Sequence, residues 1–306
     1  LWVGDSDGVE IRVRPEPATG ADRAGGVALP GGLRLELVSP GDETPPRGTL
    51  PEAPQAALSA EATATAAVNA GLVPIGASVI PELTKQQTEA GLTATLSAGA
   101  AKAKPYIGPR PRIVTRKGWG ADEKLREKNF AYTKTVKAAF LHHTASGNNY
   151  TCAQAPSVLR SIYRYHVRSS GWRDFGYNFA IDKCGNIYEG RAGGVAKPVL
   201  GAHTLGFNTD TTGVAIIGSY GTKNPPKAAV NAVSRLVAWK LGLHGRNPSG
   251  TTTLKSAGGN LYKKGTNARL KVISGHRDGF ATACPGARLY KKLGTTRSAS
   301  AKLQGR

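Results

Sequence analysis

The chain has 306 residues, and its 41 lysine and arginine residues outnumber its 20 aspartate and glutamate residues, which gives a formal net charge of +21. The 39 glycine and 19 proline residues stay below the share that is typical of low-complexity chains. No apolar run is as long as a membrane span, which needs about 18 residues. No signal-peptide pattern is present, so any signal peptide is expected to lie upstream of this sequence.

The charge is distributed unevenly along the chain. Residues 1–105 contain 8 basic and 12 acidic residues, whereas residues 106–306 contain 33 basic and 8 acidic residues. A field this positive attracts polyanions such as nucleic acid, an acidic membrane or an anionic cell-wall polymer. The alternative is a solvated basic surface that serves only solubility.

Two regions precede the basic part of the chain. Residues 1–40 contain two runs in which polar and apolar residues alternate, Gly8–Arg14 and Leu33–Leu37, and this pattern predicts a partial β-rich module. Residues 41–105 are rich in Ala and Pro and contain no aromatic residue, which is typical of a disordered linker. Residues 106–306 are therefore expected to form the main domain.

Beyond Pro105 the predicted strands and helices alternate. Val136–Leu141 predicts a buried strand, and the apolar spacing from Ser157 to Ser170 predicts a helix. The elements that follow are a hairpin of Tyr177–Ile181 with Ile187–Tyr188, a strand at Gly213–Gly218, an amphipathic helix at Lys227–Leu243, a strand at Leu270–Ile273 and a helix at Pro285–Leu293. This alternation predicts an α/β fold of mixed layers.

Two histidines and one cysteine at the ends of these elements form a candidate metal site. Neighbouring residues of a strand point to opposite faces, so only one of His142 and His143 is expected to face the same site as His276. Pro285 suits the first position of a helix, which would make Cys284 its N-cap and lower the pKa of its thiol. Two imidazoles and one thiolate leave tetrahedral zinc a fourth position for water, as in catalytic sites.

Each of these residues also has an ordinary structural interpretation. A single histidine is more often a core or surface residue, and a single cysteine is usually a small buried hydrophobe. The spacing between His276 and Cys284 is not that of a zinc finger. His166 is interpreted as a packing residue, and His244 as a residue at the carboxyl end of a helix.

Six motifs between about residues 110 and 295 resemble the peptidoglycan recognition protein family and the zinc amidases related to phage lysozymes of the amidase type. The motifs occur in order at Phe140–Ala145, Gly171–Phe179, Ile187–Arg191, Gly201–Asn208, Ser274–Asp278 and Ala283–Gly286. The first 105 residues lie outside this domain and resemble, much more weakly, the upstream regions of secreted actinobacterial relatives.

The resemblance implies a central mixed β-sheet flanked by helices, with a peptide-binding groove. It also implies N-acetylmuramoyl-L-alanine amidase activity, in which zinc-bound water attacks the amide bond between muramic acid and the stem peptide. By motif position the zinc ligands are His142, His276 and Cys284, and His143 has a supporting role. Non-catalytic recognition proteins typically lack the zinc cysteine, so its presence favours an enzyme.

The same resemblance suggests roles for residues around the metal. Tyr177 corresponds to the catalytic tyrosine, and Thr282 stands where relatives carry Lys or Thr. His203 and Asn208 correspond to residues that bind the muramyl group or the stem peptide, and Arg191 is suited to a stem carboxylate. The alternative for the polar residues is a loop that satisfies its own backbone.

If Cys284 binds zinc, Cys152 and Cys184 remain. A disulfide between them is expected in an oxidising compartment, and two buried free thiols are the alternative.

A second candidate function is a peptidoglycan-binding module without turnover. A nucleic-acid-binding protein is supported only by the charge, because no nucleic-acid motif is present. We therefore expect a secreted, cell-wall-associated monomer whose partners are peptidoglycan and an anionic cell-wall polymer.

Overall fold

The structure, a computed structural model, describes residues 77–95 and 105–306. Seven strands of this part form one sheet, and they are β1 (Val79–Ile80), β2 (Ile113–Val114), β3 (Ala138–His143), β4 (Phe179–Ile181), β5 (Ile187–Glu189), β6 (Thr211–Ile216) and β9 (Ile273–Gly275). Their order in the sheet is β1-β2-β5-β4-β6-β3-β9. A separate hairpin joins β7 (Thr251–Lys255) to β8 (Asn267–Lys271).

The sheet is mixed. β1 and β2 are antiparallel, as are β4 and β5, and the remaining neighbours are parallel. The helices are α1 (Lys85–Thr95), α2 (Ala155–Arg164), α3 (Lys227–Gly242), α4 (His276–Gly279), α5 (Ala287–Tyr290) and α6 (Leu293–Gln304). The predicted α/β fold with a mixed sheet flanked by helices is confirmed.

Different elements cover the two faces of the sheet. On one face, Ala139 and Leu141 of β3 belong to the apolar cluster that also contains Val233 and Leu236 of α3, and Leu293 of α6. Because alternate residues of a strand point to opposite faces, Ala138, Phe140 and His142 point to the other face.

The second face has helix α2 at one end and the β7–β8 hairpin at the other. Helix α2 packs Val158 and Leu159 into a cluster with Ala180 of β4. The hairpin packs Leu254 and Leu270 into a cluster with Phe140. His142 therefore lies on the face that carries the hairpin.

Most predicted elements are present, with shifted bounds. The helix predicted from Ser157 to Ser170 begins at Ala155 and continues beyond Arg164 as a π-helical turn, Tyr165–Ser169. The strand predicted at Leu270–Ile273 is divided between β8 and β9, and the helix predicted at Pro285–Leu293 is replaced by α5 and the beginning of α6.

The predicted linker differs from the structure at residues 77–95. This part contains β1, which pairs with β2, and α1, where Lys85 donates a hydrogen bond to the carbonyl oxygen of Leu303 at 3.3 Å. The predicted module at residues 1–40 and the linker residues 41–76 and 96–104 lie outside the described part.

Cys152 and Cys184 form a disulfide, which joins the turn before α2 to the β4–β5 hairpin across 32 residues of sequence. Because the crosslink restricts the unfolded chain, replacing both cysteines with alanine should lower the free energy of unfolding by about 3 to 4 kcal/mol. Urea unfolding measures this change. Thiol counting on the denatured, non-reduced protein should find one free thiol, and three would contradict the disulfide.

Lys240 is buried in α3, and its amine donates hydrogen bonds of 2.7 Å to the carbonyl oxygens of Val195 and Lys197. Burial lowers the pKa of Lys240 from 10.5 to about 7. Because the folded state depresses this pKa, the associated stability is present above pH 10.5 and is lost as the pH falls toward 7.

We therefore expect the stability advantage of the wild type over Lys240→Met to shrink by up to about 1.4 kcal/mol per pH unit as the pH falls through this range. Urea unfolding between about pH 7 and pH 9.5 measures it. Lys227→Met, on the exposed surface of the same helix, is the control for the loss of one lysine charge. A flat difference for Lys240→Met would contradict the prediction.

Candidate metal centre and active site

Two of the candidate ligands meet at one edge of the sheet. β3 and β9 are parallel neighbours, and Leu141 pairs with Gly275. The residues that follow these two are His142 and His276, so the register itself brings them together. Their ring centroids lie 4.6 Å apart.

Cys284 completes the cluster from the loop after α4. Its Sγ lies 3.7 Å from Nδ1 of His142. The carbonyl oxygen of Cys284 accepts a hydrogen bond from the backbone N–H of Arg277 at 3.1 Å, which fixes this loop against the start of α4. One ligand atom from each of His142, His276 and Cys284 lies within 4.8 Å of the others.

The donor set fits zinc. Two nitrogen donors and one sulfur donor are side chains that zinc accepts, and three such ligands would leave one position of a tetrahedral ion open. Burial lowers the pKa of His142 well below its ordinary value and that of His276 to about 4, so both imidazoles are neutral at pH 7. Neutral imidazole is the form that binds a metal.

The expected lowering of the Cys284 pKa is wrong. The short helix α5 begins at Ala287 and has Gly286 as its N-cap, so Cys284 does not cap it. Burial instead raises the pKa of the Cys284 thiol to about 12. The thiol of the metal-free protein is therefore protonated, and binding of a metal must release its proton.

His143 points away from the cluster. Its Nδ1 accepts a hydrogen bond from the backbone N–H of Tyr220 at 3.2 Å, and its own backbone N–H faces the sulfur of Cys284 at 3.5 Å. This agrees with the alternation of β3, which allows one histidine of the pair to face the site.

His203 lies beneath the three candidate ligands rather than in an open groove. It is buried, and its Nδ1 lies 3.3 Å from Nε2 of His142. Its Nε2 lies 3.3 Å from Oγ1 of Thr211, and that hydroxyl donates to the carbonyl oxygen of Phe207 at 2.5 Å. Because Thr211 donates its proton to Phe207, its oxygen accepts the Nε2–H of His203. Nδ1 of His203 is then the acceptor for the Nε2–H of His142, and Nδ1 of His142 is left free for a metal.

The backbone around His203 leaves room for its ring only because two neighbours are glycines. A Cβ on Gly201 or Gly213 would collide with the ring. The position brings the His203 ring within reach of His142, so we propose an orienting role for His203, and its contact with substrate stays a prediction. Sequence reasoning missed Thr211 and Gly213, whose role depends on the packing of β6 and has no motif of its own.

His203→Leu should weaken zinc binding by about 10- to 100-fold, because outer partners hold a metal-ligating histidine in the correct tautomer. Competition with a chelator measures the affinity, and thermal unfolding checks that the variant folds. His203→Gln keeps an acceptor for Nε2 of His142 and should stay within a few-fold of wild type. Wild-type affinity in His203→Leu would contradict the orienting role.

Tyr177 and Thr282 lie near the cluster. The ring of Tyr177 lies 5.1 Å from that of His142 between centroids, and burial together with the nearby Cys284 thiol raises the pKa of Tyr177. Its phenol is therefore a hydrogen-bond donor at neutral pH. Oγ1 of Thr282 accepts the backbone N–H of Cys284 at 3.2 Å, which leaves its own proton available for donation.

Residues 132–287, about half of the chain, match the family model described as N-acetylmuramoyl-L-alanine amidase. The chain belongs to this amidase family. It is similar to peptidoglycan-recognition protein SC1a of Drosophila melanogaster, with 32% identity over 188 residues that cover 61% of this chain and 87% of the relative. It is also similar to peptidoglycan-recognition protein SC2 of Drosophila simulans, with 28% identity over 183 residues that cover 60% and 85%.

Among solved structures, the chain is similar to Drosophila PGRP-LB, with 26% identity, coverage of 60% of this chain and 92% of the other, and a TM-score of 0.47. It is also similar to peptidoglycan recognition protein-LE in complex with tracheal cytotoxin, with 28% identity, coverage of 60% and 92%, and a TM-score of 0.46.

In this family member, a cavity of about 490 Å³ lies beside the segment that leads to His203, and Arg191 and Trp172 line it. Arg191 is half-buried, and burial lowers its pKa.

Oδ1 of Asn208 accepts hydrogen bonds from the backbone N–H groups of His203 and Thr204, both at 2.8 Å. The carbonyl group of the Asn208 side chain thus closes the loop, and only its amide group is left for a ligand.

Within the described residues, every helix is too short or too polar to span a bilayer.

Proposed function

We propose that the chain is a zinc-dependent N-acetylmuramoyl-L-alanine amidase that hydrolyses the amide bond between muramic acid and L-alanine in peptidoglycan. The observation that carries this proposal is the convergence of His142, His276 and Cys284 in a chain that belongs to the amidase family. The complete donor set supports an enzyme, because a protein that only binds peptidoglycan has no need of three metal-ligating side chains with an open position.

Zinc, when bound by these three residues, supplies Lewis acidity and lowers the pKa of a water molecule toward neutrality. The protein contributes hydrogen-bond donors. The phenol of Tyr177 stays protonated at neutral pH and is suited to stabilise negative charge that develops on the amide oxygen. Thr282 can donate to the same centre, but its hydroxyl cannot act as a base at neutral pH.

The leaving amine of L-alanine needs a proton. Tyr177 is our first candidate for this donor, since its ring lies against His142. Arg191 is the candidate partner of a stem-peptide carboxylate, since guanidinium groups bind carboxylates with two parallel hydrogen bonds. Asn208 can contribute only the amide group of its side chain to substrate binding.

The proposal extends to the compartment and the domain organisation. The disulfide between Cys152 and Cys184 supports an oxidising environment outside the cytoplasm. The packing of β1 on β2 supports a catalytic domain that includes residues 77–95 in addition to residues 106–306.

A second candidate is a peptidoglycan-binding module without turnover, and the names of the relatives as recognition proteins favour it. One experiment separates the two. The protein is loaded with zinc and incubated with purified peptidoglycan, and mass spectrometry follows the released peptides. We expect free stem peptides with an amino-terminal L-alanine, and no release after chelation. Saturable binding of sacculi without release, at full zinc loading, would reject the amidase and favour the binding module.

A further inference from the structure

The β7–β8 hairpin has two chemically different faces. Residues alternate between them along each strand. The inner face carries Leu254, Ala268 and Leu270, which pack against Phe140 and Phe207. This packing fixes the hairpin to the same side of the central sheet as His142.

The outer face is cationic. Lys255, Arg269 and Lys271 are exposed on it, and the register places Lys271 opposite Thr251 and Arg269 opposite Thr253. Same-face neighbours along a strand are about 6 to 7 Å apart. None of the three cations forms an ion pair with any residue in the described ranges.

The surrounding sequence supplies no carboxylate to neutralise this face. From Thr211 to Arg306 the chain has 17 basic residues and one acidic residue, Asp278. The carboxylate of Asp278 already accepts hydrogen bonds from the backbone N–H of Gly275 at 2.9 Å and from the hydroxyl of Tyr290 at 2.5 Å. Within residues 77–95 and 105–306, the hairpin cations therefore have no carboxylate partner, which suits them to bind an external anion.

The hairpin also lies beside the candidate active site. In its connecting loop, Asn260 exchanges two hydrogen bonds with the backbone of Ala281, at 2.8 and 3.1 Å. Ala281 immediately precedes Thr282, in the segment that leads to Cys284. The backbone N–H of Ala257 donates to the carbonyl oxygen of Gly206, in the loop after His203, at 2.8 Å.

We propose that this outer face binds the phosphate groups of a linear polyol phosphate polymer of the cell wall. Charge complementarity supplies the attraction. The residues between the cations are Thr251, Thr253 and Asn267, whose hydroxyl and amide groups suit a hydroxyl-rich chain. The face carries no aromatic side chain on which a nucleic-acid base could stack. Only the choice of a wall polymer over other phosphodiester chains rests on the proposed function.

The test uses soluble poly(glycerol phosphate), with no peptidoglycan present, and measures binding to the full chain over a series of salt concentrations. The variant Lys255→Gln/Arg269→Gln/Lys271→Gln should bind about 10- to 100-fold more weakly at low salt, because each cation near an anionic surface contributes about a factor of five. The negative slope of log affinity against log salt concentration should become less steep by about 2, since each lost phosphate contact removes about 0.7 from its magnitude.

The matched control is Lys227→Gln/Arg235→Gln/Lys302→Gln, which removes the same residue types from exposed positions on α3 and α6. It should change the affinity by less than about twofold. Equal losses in both triple variants would overturn the proposal, as would tighter binding of single-stranded DNA with the same number of phosphates. The hairpin variant should still cleave a soluble muramyl peptide at the wild-type rate, so failure of the amidase proposal would be seen separately.

Discussion

Serine in place of Cys284 is expected to prevent stoichiometric zinc binding and to slow cleavage of a soluble muramyl peptide by more than about 100-fold. A loss of about 100-fold is the upper end for mutation of a residue that only hydrogen-bonds to a metal ligand, and loss of a ligand itself should cost more. The side chain provides the only sulfur of the donor set, and its Sγ lies 3.7 Å from Nδ1 of His142. A serine hydroxyl is a poor zinc ligand because it is not deprotonated at neutral pH. Metal analysis after dialysis and a product assay measure both effects.

The controls separate the ligand role from a folding defect. Cys284→Ser should keep the thermal unfolding midpoint of metal-free wild type, because serine fills nearly the same volume. His143→Asn removes the neighbouring histidine that faces Tyr220 and should retain one zinc per chain. Full zinc occupancy in Cys284→Ser would remove this residue from the metal centre.

Phenylalanine in place of Tyr177 should lower kcat by about 10²- to 10³-fold, the range found when one donor to a developing oxyanion is removed. KM and zinc affinity should change little, because the substituted ring keeps its packing against His142 and Phe175. Loss in kcat without a change in KM indicates an interaction made in the transition state. Steady-state kinetics on a soluble muramyl peptide measures both constants.

The contrasting variant is Tyr163→Phe, at a buried tyrosine on the inner face of α2. It removes a hydroxyl that donates to the carbonyl oxygen of Asp122 at 3.1 Å and should lower stability rather than kcat. An unchanged kcat in Tyr177→Phe would exclude the phenol from the reaction.

The meeting of the two histidines could be predicted in part from short-range rules. Two parallel strands end at the same edge of a sheet, and alternation along β3 lets only one of His142 and His143 face the site. The choice of His142 over His143 rests on motif position in the family resemblance. The acidity of Cys284 could not be predicted in this way. Its prediction assumed a helix directly after the cysteine, whereas the thiol pKa depends on burial by residues distant in sequence.

The elements that sequence patterns missed are those with few apolar residues. β7 has a single buried residue, Leu254, among threonines and a lysine. α6 buries Thr296 and Ser300, and the Ser300 hydroxyl donates to carbonyl oxygens of Ser234 and Thr296, at 3.1 and 2.7 Å. Small polar side chains that are hydrogen-bonded to backbone carbonyl oxygens can be buried without an apolar stripe, so periodicity gives no signal for them.

Hydrolysis of a soluble muramyl peptide by the zinc-loaded chain in oxygen-18 water identifies both the bond that is cleaved and the source of the new oxygen atom. We expect one heavy oxygen in the lactyl carboxylate of muramic acid and a free, unlabelled L-alanine amino group on the released peptide. An intact substrate at full zinc occupancy, or cleavage at any other bond, would contradict it.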